Sequence, residues 1–309
     1  MAFPKLASYV DAMKQASELI RGENPDFVVS PMNGSVPFID SMAIVDSDFD
    51  PSKVVYMPAS SRIVNVNEVI RDWYSNFLDE VVSVPHRFPK VTGIDEVVSG
   101  ASVIRCLKNV DLASEKKRRE IRQDLVQKAH ARDPTLVLDA IRQADLLSDN
   151  TFATELAQFR NRTLSGDYVA YKDLVRLDSH TFVDILKQAL GEKLVYRTIG
   201  IEDSKMRERN KEYEEAKVNG RITPVKVESI ITMDRPEYCP PRFALIAGLN
   251  TQKTRLRFKP AVQDFVVTPQ YVEFLGDLAR YVGKDPTKVS PVNMTQILGS
   301  SKYLSPKFR

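Results

Sequence analysis

Cysteine is scarce: Cys106 and Cys239 are the only two in 309 residues. Two can form at most one bridge, so the disulfide framework of a small secreted fold is excluded, and the reducing cytoplasm is the default expectation. Long apolar runs are missing too. The longest, Phe243–Leu249, has seven residues, where a bilayer-spanning helix needs about 20. No transmembrane segment and no membrane partner are expected. The first residues lack the basic-then-apolar order of a signal peptide. Charge of one sign is not in excess either: 44 Lys and Arg face 41 Asp and Glu, a formal net charge of +3. A dedicated nucleic-acid binder is usually far more basic, although a local basic patch stays open. The three histidines, His86, His130 and His180, share no metal-ligand spacing with the cysteines. There is no Gly-x-Ser-x-Gly elbow, no Gly-x-x-x-x-Gly-Lys-Ser/Thr phosphate loop and no Gly-x-Gly-x-x-Gly dinucleotide fingerprint.

What remains is ordinary globular composition, 43% hydrophobic and 28% charged, in a chain long enough to bury a full core as one large domain or two smaller ones. Leu6, Tyr9, Val10, Met13, Ala16 and Leu19/Ile20 recur at helical spacing, which predicts a helix over Lys5–Ile20 closed by Gly22. Phe27-Val28-Val29 is too short for a helix and reads as a buried strand. Ser30–Ser35 is a loop, and Pro37 opens a helix over Phe38–Val45. The pattern then repeats. Val54–Met57 is a strand, Ala59–Arg62 a polar loop and Asn67–Val82 an amphipathic helix. Val91–Ile94 is a strand, Asp95–Ser102 a loop, and Val103–Leu107 starts a helix. Three strand–loop–helix units argue for an α/β fold with a parallel sheet. Ligands in such sheets bind at the carboxyl ends of the strands, where all three loops lie.

From Asp111 to Glu192 the strand signal disappears. Glu115–Ala131, Thr135–Leu147, Asn150–Arg160 and Thr181–Leu190 read as helices of an insertion. Its run Lys116-Lys117-Arg118-Arg119, with acidic neighbours Glu115, Glu120 and Asp124, reads as a solvated helix face. Strands return at Lys193–Ile199 and Val225–Thr232, with a charged helix over Ile201–Lys217 between them. The tail from Pro236 is proline-rich at first, then carries the run Phe243–Leu249 and the alternating segment Lys253–Lys259. As a strand, that segment puts Lys253, Arg255, Arg257 and Lys259 on one face. It is either an exposed strand guarded by charge against edge pairing or a phosphate-facing ribbon for nucleic acid. A helix is expected over Pro269–Tyr281.

The third loop carries the chemistry. Asp95-Glu96 ends a buried strand, and Ser99, Gly100, Ala101 and Ser102 lead into a helix. Glycine lets a backbone come close, amides at a helix start bind phosphate, and two hydroxyls add donors. The acids suit vicinal sugar hydroxyls or a hydrated Mg²⁺. The loop is built for a sugar phosphate.

Here Ile94-Asp95-Glu96-Val97-Val98-Ser99-Gly100-Ala101-Ser102 resembles the signature of the type I phosphoribosyltransferases: a hydrophobic strand, two acids, small or aliphatic residues, then a Ser/Thr-Gly-x-Ser/Thr turn into a helix. Asn24–Pro37 is similar to that family's first strand and pyrophosphate loop, and Ala59–Arg62 to its second loop. Aligned on Gly100, the third loop is one residue shorter than the commonest form. Asp95 matches a family acid with or without a gap, Glu96 only with one. The first loop has no lysine.

The resemblance implies a Rossmann-like phosphoribosyltransferase core over residues 1–110 and 193–235, an α-helical insertion over 111–192 and a C-terminal α+β extension over 236–309; the insertion or the extension could supply the acceptor hood. It implies transfer of ribose 5-phosphate from phosphoribosyl pyrophosphate (PRPP) to a nitrogen base, with release of pyrophosphate. By resemblance Val98, Ser99, Gly100, Ala101 and Ser102 hold the 5-phosphate. Asn33, Gly34, Ser35, Ser61 and Arg62 take pyrophosphate. Asp95 and Glu96 act as the catalytic acids on the ribose and, indirectly, on Mg²⁺. The implied partners are PRPP, a base acceptor and a second copy of the chain. The alternative is a PRPP- or nucleotide-sensing regulator, or a nucleic-acid-associated effector, on the same fold.

Overall fold

Short runs rich in valine and isoleucine form a central sheet, because β-branched side chains suit a sheet covered on both faces. In the computed structural model they are β1 (Phe27–Pro31), β2 (Val54–Met57), β3 (Val91–Val97), β4 (Arg197–Asp203) and β5 (Ile222–Val227). All neighbours pair in parallel, in the order β2-β1-β3-β4-β5. Residues 4–32, 34–59, 63–82, 89–132, 196–204, 210–228, 242–248, 257–266, 269–291, 299–300 and 302–308 are described.

The helices are α1 (Pro4–Glu23), α2 (Val36–Val45), α3 (Val66–Val81), α4 (Ala101–Arg132), α5 (Lys211–Val218) and α6 (Pro269–Tyr281). A separate antiparallel ribbon pairs β6 (Arg242–Gly248) with β7 (Arg257–Val266). Among the described residues, no helix is long and apolar enough to cross a membrane.

The chain divides into two compact units. The first holds the sheet, the ribbon and most of the helices. Its core under α3 is aromatic: Trp73 stacks on Phe77 at 5.6 Å, and Phe27 meets Phe77 edge-on at 5.1 Å. The last described residues lie across this helix. Trp73 Nε1 donates to the Ser300 carbonyl at 2.8 Å, Asn76 Nδ2 to the Tyr303 carbonyl at 2.8 Å, and Tyr56 N–H to Ser300 Oγ at 2.9 Å. That last bond gives a partner to an amide of edge strand β2. On the other face α6 meets α2 through Tyr271, whose hydroxyl donates to the buried Asp40 at 2.6 Å. Two pieces of the expected extension therefore belong to the packing of the first unit.

In the second unit the described residues are the end of α3 and the distal part of α4. The basic run there is laced with acids: Lys117 with Asp79, Lys116 with Glu120 at 3.6 Å, and Arg118 and Arg119 with Glu115 at 3.7 and 3.8 Å.

Boundaries moved for physical reasons. β3 runs on to Val97, so Asp95 and Glu96 are strand residues paired with Gly200 and Ile201 of β4. β4 reaches Asp203, where a charged helix was expected from Ile201, because ladder bonds to both neighbours outweigh the polar character of Glu202 and Asp203. The helix begins only at Lys211, capped by Asn210, whose side chain accepts the Glu212 N–H. β5 begins three residues earlier than expected, at Ile222, and runs to Val227, and residues 229–232 of the expected strand lie outside the described residues. α4 is continuous from Ala101, merging two expected helices. β7 starts at Arg257, so only Arg257 and Lys259 of the four ribbon cations lie in it, and Lys253 and Arg255 are outside the described residues. The expected helices beyond Arg132 also lie outside them.

Candidate functional site

The strand order reverses between β1 and β3: the chain leaves β1 toward β2 on one side and returns to β3 on the other. In an open parallel sheet this leaves a crevice at the carboxyl ends of the two central strands. The first loop and the acidic pair meet there. A Cβ placed on Gly34 would lie 3.1 Å from Glu96 Oε2 and 3.7 Å from Asp95 Oδ1. A Cβ at residue 34 would be tight against Glu96 and in ordinary contact with Asp95, so glycine eases the approach.

The two acids point to opposite faces, as successive strand residues must. Asp95 is 5% exposed. Its Oδ1 accepts the Glu96 N–H at 2.9 Å, while Oδ2 is buried and accepts no hydrogen bond. Burial pushes its carboxyl up to about 7, with the Glu96 charge adding to the rise. The Ser102 hydroxyl and Arg105 guanidinium offset only part of it. Glu96, half-buried on the other face, is also pushed up to about 7, by burial and by the nearby Asp203. Both groups thus hold their protons above the ordinary carboxyl range, and a protonated carboxyl can donate as well as accept a hydrogen bond.

The glycine turn has two sides. Gly100 has φ +79°, a left-handed conformation, and is buried. A Cβ there would lie 2.6 Å from the Tyr213 ring of α5. Two physical demands therefore keep residue 100 a glycine before any ligand is considered. Ser99 and Ala101 are exposed, Val98 and Ser102 half-buried. The Ser99 carbonyl accepts the Asn210 N–H at 2.9 Å, tying the turn to the start of α5. An anion could reach this turn only from the Ser99–Ser102 side, opposite Tyr213.

No family model, curated protein or solved structure matches this chain. The remaining expected residues are placed by geometry alone. Ser35 is fully buried, and its hydroxyl closes the first loop on itself, bonding the Pro31 carbonyl at 2.5 Å and Ser30 Oγ at 2.7 Å. Only its backbone stays relevant to a ligand. Asn33, Ser61 and Arg62 lie outside the described residues. Among the described residues no three metal-ligating side chains converge. Asp95 and Glu96, on opposite faces of β3, do not converge on one directly held Mg²⁺.

Sequence reasoning passed over two features. One is the second acidic pair, Glu202-Asp203, at the end of β4. It repeats the apolar-acid-acid pattern of β3 but was hidden inside the expected helix. The other is Arg105, a lone cation in the apolar run Val103–Leu107.

A cleft of about 220 Å³ lies at the opposite end of the sheet, lined by residues that include Arg21, Asn24, Asp48 and Lys53. Its charges are already engaged. Arg21 pairs with Asp46 at 3.2 Å and with Asp48 at 3.1 Å, and Lys53 donates to the Pro25 carbonyl at 3.1 Å. The carboxyl end, with its unsatisfied acid, is the better candidate.

Proposed function

We propose that this chain is a phosphoribosyltransferase-like protein. It binds PRPP at the β1/β3 crevice and transfers ribose 5-phosphate to a nitrogen base. The observation that carries the reading is the convergence of Gly34 on Glu96 and Asp95 at the reversal of strand order. It brings the loop assigned to pyrophosphate beside the acids assigned to ribose, as one substrate spanning both would require.

In this reading the bond from ribose C1 to pyrophosphate breaks, and pyrophosphate leaves with the electron pair. A base nitrogen bonds C1 and gives up a proton. Positive charge develops on the ribose. Asp95 and Glu96 hold ribose hydroxyls, and in ionised form they stabilise that charge. The Ser99–Ser102 backbone and the two serine hydroxyls hold the 5-phosphate at the start of α4. Gly34 and Ser35 offer amides to pyrophosphate. Any Mg²⁺ is carried by the pyrophosphate rather than by the acids.

A second reading, a PRPP or nucleotide sensor without turnover, is favoured by one feature: Asp95 is 95% covered, deep for a group that must follow a reacting sugar. One titration separates the two. PRPP with Mg²⁺ is titrated by calorimetry, and pyrophosphate release is followed with a panel of bases. Release supports the enzyme, binding without release supports the sensor, and no binding removes both. In an active enzyme, Asp95→Asn should lower turnover at least about tenfold, some 1.4 kcal/mol, with the fold intact.

A further inference from the structure

Arg105 supplies a charge that no other described residue of the turn offers. It stands in the second turn of α4, half-buried. Helical side chains lean toward the amino end, and four residues of rise amount to about 6 Å, so its guanidinium can return to the first turn. The Arg105 charge and the Ser102 hydroxyl both act on the Asp95 carboxyl at the end of the strand that leads into this helix.

Both groups carry an unmet demand. Arg105 Nη1 is buried and makes no hydrogen bond. Asp95 Oδ2 is likewise buried and unbonded, so the two do not bond each other. One atom can only donate, and the other can accept. Buried polar groups left in this state are uncommon in native proteins and call for a partner. Around them, Ser99 and Ala101 are exposed, and Ser102 and Arg105 itself are half-buried.

We propose that Arg105 is a ligand-binding residue: a phosphorylated sugar at the start of α4 places an anionic oxygen on its Nη1 and a hydroxyl on Asp95 Oδ2. The seat of the phosphate on Ser99–Ser102 rests on the reading given above. The ligand must carry both groups, because an anion alone leaves Asp95 unsatisfied and a hydroxyl alone leaves Arg105 unsatisfied. Arginine suits the role through its planar fork, which binds phosphoryl oxygens in a fixed geometry.

The test uses the full chain and three probes, ribose 5-phosphate, ribose and inorganic phosphate, measured by ligand-observed NMR and calorimetry. Ribose 5-phosphate should bind more tightly than either fragment. Arg105→Gln should weaken ribose 5-phosphate at least about tenfold and leave ribose unchanged. Arg105→Lys should fall between wild type and Arg105→Gln. Asp95→Asn should weaken ribose and ribose 5-phosphate together. If Arg105→Gln does not fold, phenylglyoxal labelling of Arg105 in the wild-type protein takes its place, read by peptide mass spectrometry. Ribose 5-phosphate should slow that labelling.

Equal binding by Arg105→Gln and wild type, or labelling that ribose 5-phosphate does not slow, overturns the role of Arg105 and leaves the PRPP reading standing. Inorganic phosphate binding as tightly as ribose 5-phosphate overturns the hydroxyl contact to Asp95. A wild-type protein that binds neither ribose 5-phosphate nor PRPP overturns this inference and the PRPP reading together.

Discussion

Neighbouring strands of the sheet end in the same pattern, apolar then two acids, and treat it in opposite ways. At the end of β4, Glu202 is fully buried and held. Tyr213 Oη donates to its Oε1 at 2.8 Å, and Lys217 Nζ lies 3.0 Å from the same atom. Partial burial works against the Lys217 charge, yet hydrogen bonds to Glu214 and Glu202 hold its ammonium above the ordinary range. At the end of β3, on the same face, Asp95 Oδ1 accepts a backbone amide in place of the phenol and ammonium that share Glu202 Oε1. The difference is a fixed counter-charge: among the described residues, Glu202 has a bonded ammonium and Asp95 does not. Acidity alone would not tell them apart; the partners do.

The comparison can be broken most severely at the joint between the two ends. Tyr213 covers Gly100 with its ring and bonds Glu202 with its hydroxyl. Gly100→Ala should destabilise the protein by about 3 kcal/mol, from left-handed backbone strain plus overpacking, as read by urea melts. Tyr213→Ala in the same chain should recover part of the steric loss but not the backbone strain. A wild-type midpoint for Gly100→Ala would mean the ring does not sit on the turn.

The sharpest contrast applies the same chemical change to both acids. Glu202→Gln removes a charged acceptor from two donors and should cost about 2 kcal/mol at pH 8. Asp95→Asn removes a carboxylate that burial disfavours and should gain on the order of 1 kcal/mol at pH 8. Chemical denaturation of both variants at one pH gives the two signs. The same sign for both would erase the distinction.

The smallest effect per step is the pH dependence. Folded Asp95 and Glu96 keep their protons up to about 7, whereas their ordinary values are 3.8 and 4.5. Between these limits the unfolded chain binds fewer protons than the folded one. Stability should therefore fall as pH rises from about 4 to 7, by at most about 1.4 kcal/mol per unit for each group, and level off above. Asp95→Asn should flatten that slope. Asp46 and Asp50, held below the ordinary range by hydrogen bonds from Ser17 and Ser52 among others, act the other way and lose their contribution only at lower pH.

Much of this fold could be read from local pattern. β2 and α6 fall on the expected residues, and α1, α2 and α3 begin and end within a few residues of them. Each has a periodic apolar face or a short β-branched run that contact with the sheet then completes. Patterns failed where pairing partners decided. Glu202 and Asp203 look helical beside the charged residues that follow, yet β3 and β5 draw them into the sheet. The acids of the site were legible as a motif, but their burial, the missing partner on Asp95 and the closeness of Gly34 depend on residues far away in sequence. Arg105 went unread because a cation in an apolar helix start carries no signal until the strand beneath it is known.

Trp73 is the only tryptophan in the chain, and it lies against the far edge of the sheet with its indole N–H tied to Ser300. Intrinsic emission will therefore follow the docking of residues 299–308 on α3, and it is a poor reporter for ligands entering beside Asp95. A dye or a fluorinated tyrosine at residue 213 would place the optical probe where the chemistry is expected, touching the glycine turn and the β4 acid at once.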